Sequence, residues 1–213
     1  MRALVLCLVV AAAACGRTTA EGADKRVTAD EKPAAVTGSA QEQEQARFDS
    51  ERHPEKIVEA LALRPGDRVA DIGAGSGLLT IHLARAVSPN GRVVATDIDG
   101  TVLELLAQRM DAAGLGSLVE RRVVSADSPN LEPASYDAIL LAEVDHYFSD
   151  PAGWLRAASG ALKPGGRIVI SNRVYHRAQS MAAAKKAGLV LKTESNPDAS
   201  RFIAVFVLPE KKS

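Results

Sequence analysis

Between Val69 and Gly77 the chain reads Val-Ala-Asp-Ile-Gly-Ala-Gly-Ser-Gly: an apolar strand start, an acid, then three glycines at alternate positions. Leu78-Leu79-Thr80-Ile81-His82-Leu83-Ala84-Arg85 follows at once. That order calls for a strand, a tight turn and a helix. Turn glycines take positive φ and let a ligand approach the backbone without interference from a Cβ. The helix start behind them offers unpaired N–H groups. The spacing then argues which ligand. A dinucleotide-binding turn runs G-x-G-x-x-G, but here the third glycine comes one residue early and Leu78 stands where that pattern needs Gly. Nicotinamide-dependent oxidoreduction is therefore a disfavoured reading. Asp71, inside the turn, suits a cationic amino-acid moiety better than a pyrophosphate.

The rest of the chain alternates strands and helices. Pro54 opens a short helix, Glu55–Leu61, with Ile57, Val58 and Leu61 as its buried stripe. A helix is expected from about Gly77 to Val87, with His82 at its surface or core edge. The second strand, Arg92–Asp97, ends in an acid 20 residues past Gly77, placed to accept hydrogen bonds from ribose hydroxyls. Asp99, two residues on, points away. A helix from Thr101 to about Ala113 buries Val102, Leu105, Leu106 and Met110. Val119–Asp127 is a third strand, and Leu131–Ser135 has no helical pattern, so one covering helix is missing there. Tyr136–Val144 is nearly continuously apolar, as a central parallel strand should be. Leu162-Lys163-Pro164-Gly165-Gly166 turns the chain into a fifth strand, and Leu189–Thr193 pairs with Phe202–Leu208 as an antiparallel hairpin.

Asp-x-Gly-x-Gly-x-Gly at the first strand, the acid ending the second, and the Leu-Lys-Pro-Gly-Gly turn stand in one order. Together, across roughly residues 47–210, they resemble the class I S-adenosylmethionine (SAM)-dependent methyltransferases. The resemblance implies an α/β, Rossmann-like fold. Its seven-stranded mixed sheet has the order 3-2-1-4-5-7-6, the last strand antiparallel and helices on both faces. It also implies SAM as cofactor and methyl transfer to a small-molecule acceptor. On that basis Asp71, Gly73, Ala74, Gly75 and Gly77 hold the methionine end and Asp97 the ribose. Asp127, Ala126 and Ile98 hold the adenine, and Glu143 completes the cofactor set after the fourth strand. His146 is the candidate general base, since imidazole titrates near neutrality, and Tyr147 orients the acceptor. His53 and His176 flank the mouth. The alternative is a SAM- or nucleoside-binding module of the same fold without catalysis.

Composition limits the partners. Lys+Arg and Asp+Glu are both 26, so no basic footprint for nucleic acid is present. The two cysteines, Cys7 and Cys15, both precede the domain and its four histidines are scattered, so no metal site is expected. Met1-Arg2, a short apolar run and small residues before Cys15 form a signal-peptide pattern too short to span a bilayer. It resembles a bacterial lipoprotein leader over residues 1–15, with Cys15 the lipidated residue. Residues 16–45 are polar and unpatterned, a flexible tether before a domain at 46–213. The expectation is an exported, membrane-anchored, periplasm-facing protein, or a cytoplasmic one if the leader is not processed.

Overall fold

The structure, a computed structural model, describes residues 38–210. The leader, Cys15 and the tether up to residue 37 lie outside the described residues. Two helices, α1 (Gly38–Arg52) and α2 (Pro54–Leu61), precede strand β1 (Arg68–Ile72). Then come α3 (Thr80–Val87), β2 (Arg92–Asp97), α4 (Gly100–Ala112), β3 (Val119–Val123) and β4 (Tyr136–Ala142). The chain closes with α5 (Pro151–Ser159), β5 (Leu162–Arg173), α6 (Arg177–Lys186), β6 (Val190–Asp198) and β7 (Arg201–Val207).

The strands form one sheet in the order β3-β2-β1-β4-β5-β7-β6. β1 to β5 run parallel, while β7 is antiparallel to both β5 and β6. The fold is thus the seven-stranded, Rossmann-like mixed sheet that the sequence motifs imply. Strand order reverses between β1 and β4, and the crevice at such a switch point is where open α/β sheets bind ligands. Successive side chains of a strand face opposite ways, and here both faces are covered. Ile139 and Leu141 join Trp154, Leu155 and Ala184 on the α5–α6 face. Ala138 and Leu140 join Leu61, Leu83 and Leu106 on the α2–α4 face. That two-sided burial explains the unbroken apolar run of β4.

Three local features depart from, or complete, the sequence reading. The tether expected to reach residue 45 gives way to helix at Gly38. Its apolar content is too low for periodicity to reveal it; polar contacts hold it instead. Arg109 on α4 pairs with Glu44, donates to Gln45 Oε1 (3.2 Å), and donates through Nε to the Ser76 carbonyl (3.0 Å). His82 meets Asp49 at 2.8 Å, so this histidine is a tie between α1 and α3. Second, α3 starts at Thr80, three residues later than the apolar pattern suggests. Third, β3 ends at Val123 and no helix covers the link to β4, as expected. A charge cluster replaces that helix. Arg122 and Arg68 both pair with Glu132, to which the Tyr136 hydroxyl donates. The Arg122 hydrogen bond, ahead of those from Tyr136 and Arg68, holds the Glu132 carboxyl well below the usual range. Among the described residues no helix is long and apolar enough to cross a membrane.

Candidate active site

The ends of β1, β2 and β4 and the turns that follow them enclose a crevice with two halves. Gly73, Ala142 and Glu143 border both. The first half, about 270 Å³, lies between Ile72, Ile98, Val124 and Ala126 on one side and Val144, Tyr147 and Phe148 on the other. Phe148 stacks on Trp154 at 4.5 Å, giving it a flat aromatic wall. The second half, about 280 Å³, is framed by Asp71, the Gly73–Ser76 turn and Leu79, and roofed by Phe48 and Arg52 of α1.

The turn between the halves is held from below and from the side. Gly73 and Ala74 N–H groups donate to the Thr96 carbonyl at 2.8 and 2.9 Å. Gly75 N–H donates to Asp97 Oδ2 at 2.9 Å, and Asp99 N–H to Oδ1 at 3.1 Å. The Asp97 carboxylate therefore sits on the crevice rim with its orientation set by two backbone donors. Asp99 is spent on α4, accepting from Thr101 N–H as its cap. Gly75 has φ +54°, and nothing lies within 4 Å of where its Cβ would stand: that space is the crevice.

Asp71 is buried beneath the turn, 2% exposed, and accepts from the Thr80 hydroxyl at 2.7 Å. Burial pushes its carboxyl up to about 6, the Thr80 hydrogen bond pulls part of the way back, and Asp97 adds repulsion. A buried acid bordering a cavity, lacking a cation among the described residues, is what a cationic ligand group would complete.

Three expected site residues, Asp127, Gly77 and His146, lie outside the lining of both halves. Asp127 does not line the crevice, because both its carboxylate oxygens accept from Ser149, through N–H and Oγ at 3.0 Å each. Its neighbours Ser125, Ala126 and Ser128 face the crevice instead, since β3 stops early and the turn after it rotates the acid outward. Gly77 lines neither half. A Cβ there would come within 2.7 Å of Leu106 Cγ, so this glycine serves the approach of the turn to α4.

His146 corrects the expectation of a general base. Asn172 is 0% exposed, and its Oδ1 accepts from Arg173 N–H at 2.7 Å, which fixes its amide. Its Nδ2 then donates to Asp145 Oδ1 at 2.6 Å and meets His146 Nδ1 at 3.0 Å. His146 Nδ1 is therefore the acceptor, and the neutral ring carries its proton on Nε2. Burial, then the His176 ring stacked at 4.0 Å, lower its pKa against the opposing pull of Asp145 and Glu143, so the neutral form dominates near pH 7. The ring itself lines neither half of the crevice. His176 joins it in an aromatic cluster with Tyr147 and Tyr175, whereas His53 meets Glu55.

Sequence reading missed Thr96, Trp154, Phe48 and Arg52. Thr96 Oγ1 and Trp154 Nε1 are buried beside the crevice without a hydrogen-bond partner among the described residues. Trp154, beside Leu155 on α5, was a sequence signal available for a flat wall. Glu143 borders both halves of the crevice, in company that the sequence did not reveal. Its Oε1 pairs with Arg52 (3.0 Å), Arg173 (3.1 Å) and Arg201 (3.5 Å).

Comparison with known proteins finds likenesses to this fold. Residues 70–168 match the family model described as a methyltransferase domain. The chain is 33% identical over 113 residues to the ubiquinone/menaquinone biosynthesis C-methyltransferase UbiE of Teredinibacter turnerae, covering 53% of this chain and 45% of that protein. It thus spans less than half the length of the curated relatives it matches. A SAM-dependent methyltransferase from Aquifex aeolicus superimposes with a TM-score of 0.70 at 20% identity, covering 80% of this chain and 98% of that one. Geranyl diphosphate C-methyltransferase from Streptomyces coelicolor A3(2), solved with S-adenosyl-L-homocysteine, gives 0.63 at 17% identity over 76% and 79% of the two chains.

Proposed function

We propose that this protein is a SAM-dependent methyltransferase acting on a small-molecule acceptor. The observation that carries the reading is the crevice itself: an oriented Asp97 carboxylate, a glycine turn open to a ligand, and a buried acid below it. The residues present fit the cofactor. Ile72, Ile98, Val124 and the Phe148–Trp154 stack form a flat apolar slot for a purine, with Ser125 and Ser128 at its edge. Asp97 accepts from ribose hydroxyls, and Asp71 with the Gly73–Gly75 turn receives the methionine end.

When bound, SAM supplies a sulfonium methyl; an acceptor lone pair bonds to its carbon while the carbon–sulfur electrons return to sulfur. The chain's own share is to position the reactants and exclude water. Phe48 and Arg52 roof the methionine half, and Tyr147 borders the nucleoside half from the loop after β4. His146 borders neither half of the crevice, so removal of an acceptor proton, where the chemistry needs one, falls to water or to the acceptor itself.

Calorimetry of the chain with SAM, S-adenosylhomocysteine and NAD tests the reading. SAM and its product are expected to bind, NAD to fail, and Asp97→Ala to weaken SAM by about 1.5–3 kcal/mol, the range for hydrogen bonds to a charged group. Absence of SAM binding would end the proposal. Tight binding with no turnover over a panel of acceptors would favour the non-catalytic binding module. The leader pattern extends the reading to an exported protein held on a membrane by acylated Cys15. Cys15→Ser is expected to release it from the membrane fraction, and unchanged fractionation would refute lipidation.

A further inference from the structure

Next to the methionine half of the crevice lies a smaller hollow of about 140 Å³, bordered by Arg47, Arg52, Arg173 and Arg201 together with Phe48 and Leu78. Phe48, Arg52 and Leu78 belong to both cavities, so the two adjoin. The four guanidiniums come from three elements: the end of α1, the end of β5 and the start of β7. They sit over the β4–β5–β7 part of the sheet, beyond Glu143, where an acceptor would enter.

Their charge is incompletely answered. Three of the four share one carboxylate oxygen, Glu143 Oε1. Arg201 also pairs with Asp198 through Nη1 at 2.9 Å. The two other acids of the hollow are Glu44, committed to Arg109, and Glu51, which is exposed. Arg52 Nε is buried with no hydrogen-bond partner among the described residues, and Arg201 Nε, also buried, has only the long 3.5 Å ion pair to Glu143 Oε1. Burial and the neighbouring Arg201 and Arg173 charges lower the Arg52 pKa, with Glu143 opposing them. Buried guanidinium donors are costly to leave unmet, and the geometry that satisfies them best is a bidentate oxyanion.

Resting on the methyltransferase reading, we infer that the acceptor carries a carboxylate or phosphate group that docks among Arg47, Arg52, Arg173 and Arg201. The arginines then set the acceptor's direction of approach: its anionic end is held in the hollow and its nucleophilic atom lies toward Glu143 and the crevice.

The test uses benzoate and inorganic pyrophosphate as probes of the two oxyanion types. Calorimetry on the full chain, with and without saturating S-adenosylhomocysteine, is run for the parent, Arg47→Gln and Arg173→Gln. Arg47 is exposed and makes no ion pair among the described residues, so its variant guards against loss of folding. At least one probe is expected to bind in the presence of S-adenosylhomocysteine, and each variant to weaken it about fivefold or more. Affinity for S-adenosylhomocysteine is expected to stay within about twofold, well under the tenfold that 1.4 kcal/mol represents. Failure of both probes, or anion binding untouched by both variants, would overturn the inference. Equal weakening of S-adenosylhomocysteine would overturn it too, by assigning the guanidiniums to the cofactor's own carboxylate. A probe that binds and responds to the variants while S-adenosylhomocysteine does not bind at all would uphold the hollow and remove the methyltransferase reading.

Discussion

At about pH 8 an Asp71→Asn variant is expected to unfold at a higher denaturant concentration than the parent chain, yet to bind SAM about ten- to a hundredfold more weakly. Both effects come from one buried carboxylate. Its pKa is raised in the folded state, from 3.8 to about 6, so the native protein holds its proton more tightly than the unfolded chain does. Stability therefore falls as pH rises between those two values and stays reduced above them. At one unit of pKa per about 1.4 kcal/mol, the penalty at neutral pH is about 1–3 kcal/mol. Asparagine removes the charge and keeps an oxygen for the Thr80 hydroxyl, so the penalty disappears. Binding runs the other way. A cationic methionine end selects ionised Asp71, so SAM affinity of the parent should rise from about pH 5 to pH 7 and flatten once the carboxyl is ionised. Denaturant melts at about pH 3.5 and pH 8, with calorimetry across the same range, check both halves. Equal stability of variant and parent at both pH values would mean that Asp71 bears no strain.

Two glycines two residues apart should fail in different ways. Gly75→Val is expected to abolish detectable SAM binding, because its side chain grows into the crevice where the structure has nothing within 4 Å. The fold loses only the cost of a side chain at positive φ, about 1–3 kcal/mol, and Gly75→Ala measures that cost separately. Gly77→Ala meets Leu106 instead, with Cγ at 2.7 Å and the Leu106 backbone at 3.4 Å, while holding φ +84°. Strain and overpacking together should remove about 2–4 kcal/mol of stability, with SAM affinity of the folded fraction nearly preserved. Thermal melts beside ligand titrations separate the pair. A Gly77→Ala variant of parental stability would return that residue to the ligand site.

Most of the architecture was legible because its signals are local. The glycine turn, the Lys163–Gly166 turn, the two-faced apolar run of β4 and the hairpin at the end each announce themselves within ten residues or so. Even the missing helix before β4 showed as an absence of pattern at Leu131–Ser135. What escaped was non-local or polar. Helix α1 is held by Glu44, Gln45 and Asp49 reaching Arg109 and His82, partners whose sequence distance no periodicity can record. Asp127 occupied the right place in sequence, but β3 ends four residues before it, and Ser149 claims its carboxylate. The protonation of His146 depends on the fixed amide of Asn172, 26 residues away. The arginines around Glu143 come from α1, β5 and β7, and only the closed sheet brings them together.

The attachment of α1 bears on how the crevice is left as well as how it is filled. This helix supplies the roof through Phe48 and Arg52, and is fastened chiefly by ion pairs and amide contacts. Ion pairs are screened as ionic strength rises, less where they are buried as Arg109 is, whereas the apolar packing of the sheet below carries no such charge dependence. On the proposed function, residence time in the pocket is therefore expected to shorten with salt before any strand is loosened, and release of S-adenosylhomocysteine timed beside thermal melts in the same salt series checks it.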